Sequence, residues 1–126
     1  LNLGKQAVTA GVKRFVFISS IGVVGKISNH PFSESDMPNP QGAYATSKYE
    51  AELALLSLAE ETDLEVVIIR PPLVYGPGAP GNFETLMKWM DRKIALALGV
   101  IYNKRSIVAL DKLVDLIYQN FMFILK

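Results

Sequence analysis

Two short runs of apolar residues have the pattern of buried β-strands. The run Phe-Val-Phe-Ile lies within residues 14–20, and the run Val-Val-Ile-Ile lies within residues 65–70. Continuous runs of strand-forming residues suit parallel strands that are covered on both faces. We therefore predict buried parallel strands at 14–20 and 65–70, the second of them ended by Pro71 and Pro72.

Residues 43–62 form the clearest predicted helix, because they carry two stripes at helical spacing. The stripes comprise Tyr44, Lys48, Ala51, Leu55 and Leu58 on one side, and Ala45, Tyr49, Leu53 and Leu56 on the other. A helix with two such sides needs two partners. The sheet supplies one. We expect a second subunit, in a homodimer or larger homo-oligomer, to supply the other, and another helix of the same chain is the alternative.

The remaining segments complete an α/β pattern. Helices are predicted at 3–10, 83–93 and 111–123, a short extended piece at 106–109, and loops at 21–41 and 71–81. The order strand, helix, strand, loop, helix indicates the carboxyl-side portion of a Rossmann-type parallel sheet with flanking helices. Residues 1–126 are therefore predicted to form a single partial domain of that type.

Composition excludes several classes of partner. The 13 Lys and Arg residues nearly balance the 12 Asp and Glu residues, so no nucleic-acid partner is predicted. There are no cysteines, and the single histidine, His30, lies in a predicted loop, so no metal site is predicted. The apolar segment 113–125 is too short to span a bilayer, and no signal peptide is visible. We expect a cytoplasmic protein with no membrane partner.

Tyr44 and Lys48 are the strongest candidates for chemistry. They are four residues apart on one predicted helix face, where a lysine ammonium can stabilise a phenolate. Ser19 and Ser20 end the first predicted strand, at the edge of the sheet where α/β proteins bind ligands. A serine there could donate a hydrogen bond to the oxygen that gains or loses the proton. The alternatives are packing of Tyr44 on the sheet, a solvated Lys48, and serines that only cap the strand end.

Four segments carry a resemblance to a known family. Residues 14–25 (RFVFISSIGVVG), 44–52 (YATSKYEAE) and 69–78 (IRPPLVYGPG) follow one another in the order and spacing typical of the extended short-chain dehydrogenase/reductase family. That family includes the NAD-dependent epimerases and dehydratases. Residues 105–111 (RSIVALD) resemble its later, substrate-side motif.

The resemblance implies a Ser/Tyr/Lys site and NAD as cofactor. The catalytic serine of the family lies five residues before the glycine that ends its motif, which selects Ser20 relative to Gly25. Tyr44 then exchanges the proton, and Lys48 supports Tyr44 and binds the nicotinamide ribose. The cofactor contacts that the resemblance implies are Ser19, Tyr44, Lys48, Pro71 and Val74.

The resemblance also implies a nucleotide-diphosphate sugar as substrate, as in UDP-glucose and UDP-N-acetylglucosamine 4-epimerases. Arg105 matches an arginine that meets a substrate phosphate, for which a guanidinium is well suited. Asn82 is a further candidate for a polar substrate contact. Many nucleotide-sugar enzymes have Asn where this chain has Leu73. The alternative enzyme is a family reductase or dehydrogenase that acts on a non-sugar alcohol, which the run Val-Tyr-Gly-Pro after Arg-Pro also fits.

Members of this family normally open with a strand, a Gly-rich turn and a helix that hold the dinucleotide. No such segment is recognisable, so we expect a partial chain, and as a further alternative an inactive fragment. The segment 76–81 (GPGAPG) has the spacing of a Gly-rich turn, but Pro77 and Pro80 have no N–H to offer a pyrophosphate. We therefore expect the 126-residue chain alone to bind NAD weakly and to be inactive.

Overall fold

The computed structural model describes residues 1–77 and 105–122, together with residues 85, 88, 91 and 92. Its helices and strands are α1 (Asn2–Thr9), β1 (Arg14–Ile18), a short 3₁₀ helix (Ile21–Val23), α2 (Ala43–Glu60), β2 (Glu65–Ile69), β3 (Leu73–Tyr75), β4 (Ile107–Ala109) and α3 (Leu110–Met122). The predicted helix at 83–93 and most of the predicted loop before it lie outside the described residues, as does Asn82.

β1 and β2 are parallel neighbours, paired from Arg14 with Glu65 to Ile18 with Ile69. The two apolar runs of the sequence thus form adjacent parallel strands, as predicted. The expected burial on both faces is wrong for the described part of the chain. Most residues of the two strands are half-buried there, and Ile69 alone among them is buried.

β3 corrects the prediction of an unbroken loop from residue 71 to residue 81. Leu73 to Tyr75 pair in parallel with β4, from Leu73 with Ile107 to Tyr75 with Ala109. The two prolines end β2, but the strand-forming Leu-Val-Tyr run resumes directly after them. Its partner lies more than thirty residues further along the chain, so local sequence gave no sign of the pairing.

α2 begins and ends close to the predicted bounds, and its buried face takes residues from both predicted stripes and adds Glu52. The buried residues are Ala45, Glu52, Leu55 and Leu58. α1 packs closely on this face, because a Cβ on Gly4 would lie 3.0 Å from a methyl carbon of Leu55 and of Leu58. The buried face therefore runs between the two predicted stripes, and the exposed side chains of Leu53 and Leu56 lie to one side of it.

Glu52 and Arg70 form an ion pair across the interface between α2 and the end of β2. Arg70 donates to both carboxylate oxygens, from Nε at 3.0 Å and from Nη2 at 2.6 Å. Glu52 is 1% exposed. The hydrogen bonds to Glu52 raise the pKa of Arg70, against the opposing effect of its burial. The pair therefore holds the middle of α2 against the residue that follows β2.

α3 is amphipathic, with Leu113 buried and several apolar side chains of its other face exposed. Within the described ranges, no helix is long and apolar enough to cross a membrane.

We predict that Arg70→Met destabilises the chain strongly, because it leaves the Glu52 carboxylate buried without its partner. Removing one member of a buried pair typically costs about 3–5 kcal/mol. The control is Lys112→Met, which breaks an ion pair with Asp115 in which both side chains are exposed. The control should cost less than about 1 kcal/mol. Urea denaturation followed by circular dichroism measures both values, and equal losses in the two variants would contradict the prediction.

Candidate active site

The two serines lie directly after β1, at its carboxyl end. The N–H of Ser19 donates to the Ile69 carbonyl at 2.7 Å and extends the β1–β2 pairing by one residue. Ser20 is extended, and its Oγ accepts a hydrogen bond of 3.1 Å from the N–H of Gly22. This bond caps the 3₁₀ helix rather than the end of β1. It uses the oxygen as an acceptor only, so the hydroxyl proton of Ser20 remains available to a ligand.

Lys48 reaches from α2 to the same strand end. Its Nζ donates to the Ile18 carbonyl at 2.9 Å. The ammonium lies 4.9 Å from the centroid of the Phe17 ring and 5.9 Å from the centroid of the Tyr44 ring. Both distances are within the range of cation–π attraction. Lys48 is therefore held over β1 by a backbone carbonyl and two rings, unlike a solvated surface lysine.

Tyr44 lies in the first turn of α2, which starts after Gly42 at a φ of 86°. Its side chain is 65% exposed. In the described structure the phenol oxygen makes no hydrogen bond, and the Tyr44 ring has a cation–π contact with Lys48 at 5.9 Å. Tyr44 is therefore accessible to a ligand and is not packed on the sheet, the alternative considered from the sequence.

Pro71 belongs to the same edge of the sheet, because its carbonyl accepts the N–H of Ile21 at 3.1 Å. This bond joins the chain after β2 to the chain after Ser20. The structure thus gathers five of the predicted site residues at the carboxyl ends of β1 and β2. These are Ser19, Ser20, Tyr44, Lys48 and Pro71.

The other predicted site residues are not joined to this group. Val74 is half-buried in the middle of β3, opposite Val108. Arg105 is exposed just before β4, and no described hydrogen bond or ion pair connects it to Tyr44 or Lys48. Asn82 lies outside the described residues. The roles of these three residues stay predictions.

Sequence reasoning assigned no role to Phe17, Glu52 and Arg70, which surround the group. Phe17 lies beneath the Lys48 ammonium. The sequence does indicate that Glu52 lies near the site, because it follows Lys48 by four residues on one helix face. Arg70 directly precedes Pro71. The burial of Glu52 could not be predicted from its position, because a glutamate on a helix is ordinarily exposed to solvent.

The group suits a ligand that carries hydroxyls. Ser19 Oγ is buried and has no hydrogen-bond partner among the described residues. Lys48 uses one donor on Ile18 and has two more N–H bonds for a ligand. The Lys48 donors can bind hydroxyls of a ligand, whereas Ser19 Oγ is enclosed by protein. The described ranges hold no group of three or more His, Cys, Asp or Glu side chains that could bind a metal ion.

Comparison with known protein families identifies the family of this chain. Residues 1–119 match the NAD dependent epimerase/dehydratase family. The chain is a member of that family. The resemblance described from the segments around Ser20, Tyr44 and Arg70 is therefore confirmed, and with it the α/β fold.

Among curated relatives in this family, UDP-glucose 4-epimerase of Vibrio cholerae is 50% identical over 120 residues. The match covers 93% of this chain and 37% of the relative. An N-acetyl-α-D-glucosaminyl-diphospho-ditrans,octacis-undecaprenol 4-epimerase of Escherichia coli O157:H7 is 29% identical over 109 residues, which is 85% of this chain and 33% of the relative. The chain spans about a third of the length of the curated relatives it matches.

Solved structures of family enzymes have the same fold. UDP-glucose 4-epimerase of Thermotoga maritima, solved with UDP-glucose, superposes with a TM-score of 0.75 at 28% identity and covers 90% of this chain and 39% of that one. A double mutant of dTDP-glucose 4,6-dehydratase from Streptomyces venezuelae, solved with NAD, gives a TM-score of 0.73 at 30% identity. That match covers 86% of this chain and 35% of that one.

Proposed function

We propose that the protein carrying this chain is an NAD-dependent nucleotide-sugar epimerase of the UDP-sugar 4-epimerase type. One observation carries the proposal: Lys48 is anchored on the Ile18 carbonyl beside the accessible Tyr44, at the strand end that also holds Ser20. The 50% identity to a UDP-glucose 4-epimerase supports the choice of a UDP-hexose as substrate.

The proposed chemistry divides among three side chains. Tyr44, as the phenolate, takes the proton from a hydroxyl of the sugar and later returns it. Ser20 donates a hydrogen bond from its hydroxyl to the same sugar oxygen. Lys48 stabilises the phenolate and offers its remaining N–H bonds to the ribose of the cofactor. Bound NAD would supply the acceptor, and later the donor, of the hydride at the sugar carbon that carries this hydroxyl.

Other residues complete the site in this proposal. Ser19 and Pro71 border the cofactor at the strand ends, and Val74 follows along β3. Arg105 binds the diphosphate of the substrate, since a guanidinium can donate to two phosphate oxygens at once. Asn82 adds a polar contact to the sugar nucleotide.

A second candidate function is favoured by Leu73. This apolar side chain is exposed in the described structure at a position where many nucleotide-sugar enzymes of the family have Asn. In a reductase that acts on a non-sugar alcohol, this apolar surface could contact the apolar part of the substrate. Turnover of UDP-glucose to UDP-galactose by the complete gene product, with no net change in NAD, separates the epimerase from the reductase.

We predict that Tyr44→Phe lowers kcat of the complete gene product by about 10²- to 10⁴-fold, because the phenol oxygen moves the proton. NAD binding should be nearly unchanged. Lys48→Met should weaken both turnover and NAD binding, because Lys48 is proposed to contact the ribose. The control is Tyr118→Phe on α3, whose side chain is 62% exposed and so matches Tyr44 in accessibility. A Tyr44→Phe enzyme within about threefold of the parent would remove Tyr44 from its role.

For the isolated chain of 126 residues we predict no tight binding of NAD and no epimerase activity. A pyrophosphate is normally held by backbone N–H groups at the start of a helix, and the prolines at 77 and 80 have none to offer. Isothermal titration of the purified chain with NAD measures this. A dissociation constant in the micromolar range would show that the chain binds the cofactor by itself.

We also propose that the exposed side of α2 mediates association between two copies of the protein. Leu53 is 49% exposed and Leu56 is 43% exposed, and Tyr49 lies half-buried beside them. Apolar side chains grouped in this way are typical of contact surfaces.

We therefore predict a dimer or larger assembly at micromolar concentration, and its dissociation by the double change Leu53→Glu and Leu56→Glu. The control is Gln6→Glu, at an exposed position of α1. Light scattering coupled to size-exclusion chromatography measures the mass of each variant. A parent chain that elutes as a clean monomer would rule the association out.

A further inference from the structure

Two arginine–glutamate pairs lie at opposite ends of β1 and β2. Arg14 and Glu65 face each other at the amino ends of β1 and β2, with a closest approach of 2.7 Å. Glu52 and Arg70 form the other pair, directly after the carboxyl end of β2. Only this second pair includes a residue of α2.

Glu52 shares a helix face with the two proposed catalytic residues. Tyr44, Lys48 and Glu52 follow one another at intervals of four residues, so they form one row along two turns of α2. Successive members of the row lie about 6 Å apart along the helix axis. Neighbouring strands lie about 4.8 Å apart, so two members of the row can reach two adjacent strand ends.

The structure shows this double attachment. Lys48 bonds the carbonyl of Ile18, the last residue of β1. Glu52 bonds Arg70, the residue after Ile69, and Ile69 is the register partner of Ile18. α2 is therefore fixed at two adjacent points of one sheet edge, which sets both its rotation and its position along its axis.

Arg70 has a second neighbour that matters for the site. Pro71 follows it directly, and the Pro71 carbonyl is bonded to Ile21 beside Ser20. The ion pair thus links the segment that carries Tyr44 and Lys48 to the segment that borders Ser20.

We propose that Glu52 and Arg70 are positioning residues, which hold Lys48 and Tyr44 at the end of β1 in the geometry that the reaction needs. The proposal rests on the proposed function for what is positioned. A buried ion pair is a poor device for stability alone, because well-packed apolar residues often replace one without loss. Its two directed hydrogen bonds, in contrast, specify a single placement of the helix.

The test replaces the pair by apolar residues in the complete gene product, with the double change Glu52→Leu and Arg70→Met. This variant leaves no unpaired buried charge, so it separates positioning from stability. The control is the double change Arg14→Met and Glu65→Leu, which removes the more exposed pair at the opposite end of the strands. Thermal unfolding checks that both variants fold.

Two quantities are measured on the folded variants. The first is kcat with UDP-glucose, which should fall about 10²-fold in the Glu52/Arg70 variant, as expected for a displacement of about 1 Å, and change less than about threefold in the control. The second is acylation of Lys48 by an amine-reactive ester relative to the exposed Lys112, read by mass spectrometry. This ratio should rise in the Glu52/Arg70 variant alone, because Lys48 leaves the Ile18 carbonyl.

An unchanged Lys48 ratio and a kcat within about threefold of the parent, in a folded Glu52/Arg70 variant, would overturn the proposal. If that variant does not fold, Arg70→Lys takes its place, because it keeps the charge and loses the forked geometry. The Lys48 acylation ratio and kcat of this variant then decide in the same way. A failure of the proposed function is distinct, because it would show as absent epimerisation or as full activity of Tyr44→Phe. The Lys48 ratio would still report on positioning in that case.

Discussion

A carboxylate buried away from water is strongly stabilised by a paired cation, and this interaction fixes the packing at the centre of the chain. Glu52 lies on the buried face of α2 among alanine and leucine side chains, where an unpaired charge would be very unfavourable. The forked guanidinium of Arg70 meets both of its oxygens. Because the pairing has directional hydrogen bonds, it fixes how α2 lies on the sheet more narrowly than apolar packing does.

The placement of α2 in turn determines the site. With the helix fixed, Lys48 extends to the last carbonyl of β1, and Tyr44 stands accessible one turn earlier. The parallel pairing of β1 and β2 brings Ser19, Ser20 and Pro71 to the same edge. Polar groups gather at the carboxyl ends of parallel strands because the chain turns out of the sheet there and leaves its side chains and backbone groups free. Membership in the NAD dependent epimerase/dehydratase family agrees with this arrangement.

Particular residues show how far sequence reasoning reached. The runs in residues 14–20 and 65–70 predicted β1 and β2, because parallel strands have a local apolar signature. Leu73 to Tyr75 have the same character, but the two preceding prolines suggested a loop, and only the distant β4 makes them a strand. Glu52 was not predicted to lie on the buried face of α2, because a charged residue on a helix is ordinarily exposed.

The sequence by itself determined the parallel α/β class, the family and the candidacy of Ser20, Tyr44 and Lys48. These features depend on local apolar runs, helical spacing and short motifs, all of which are contained in neighbouring residues. Tertiary structure alone decided that β3 pairs with β4, that Lys48 is anchored on Ile18, and that Arg70 neutralises Glu52. Each of these contacts joins residues far apart in the chain, and their energies depend on burial, which exists only once the helices and strands have packed together.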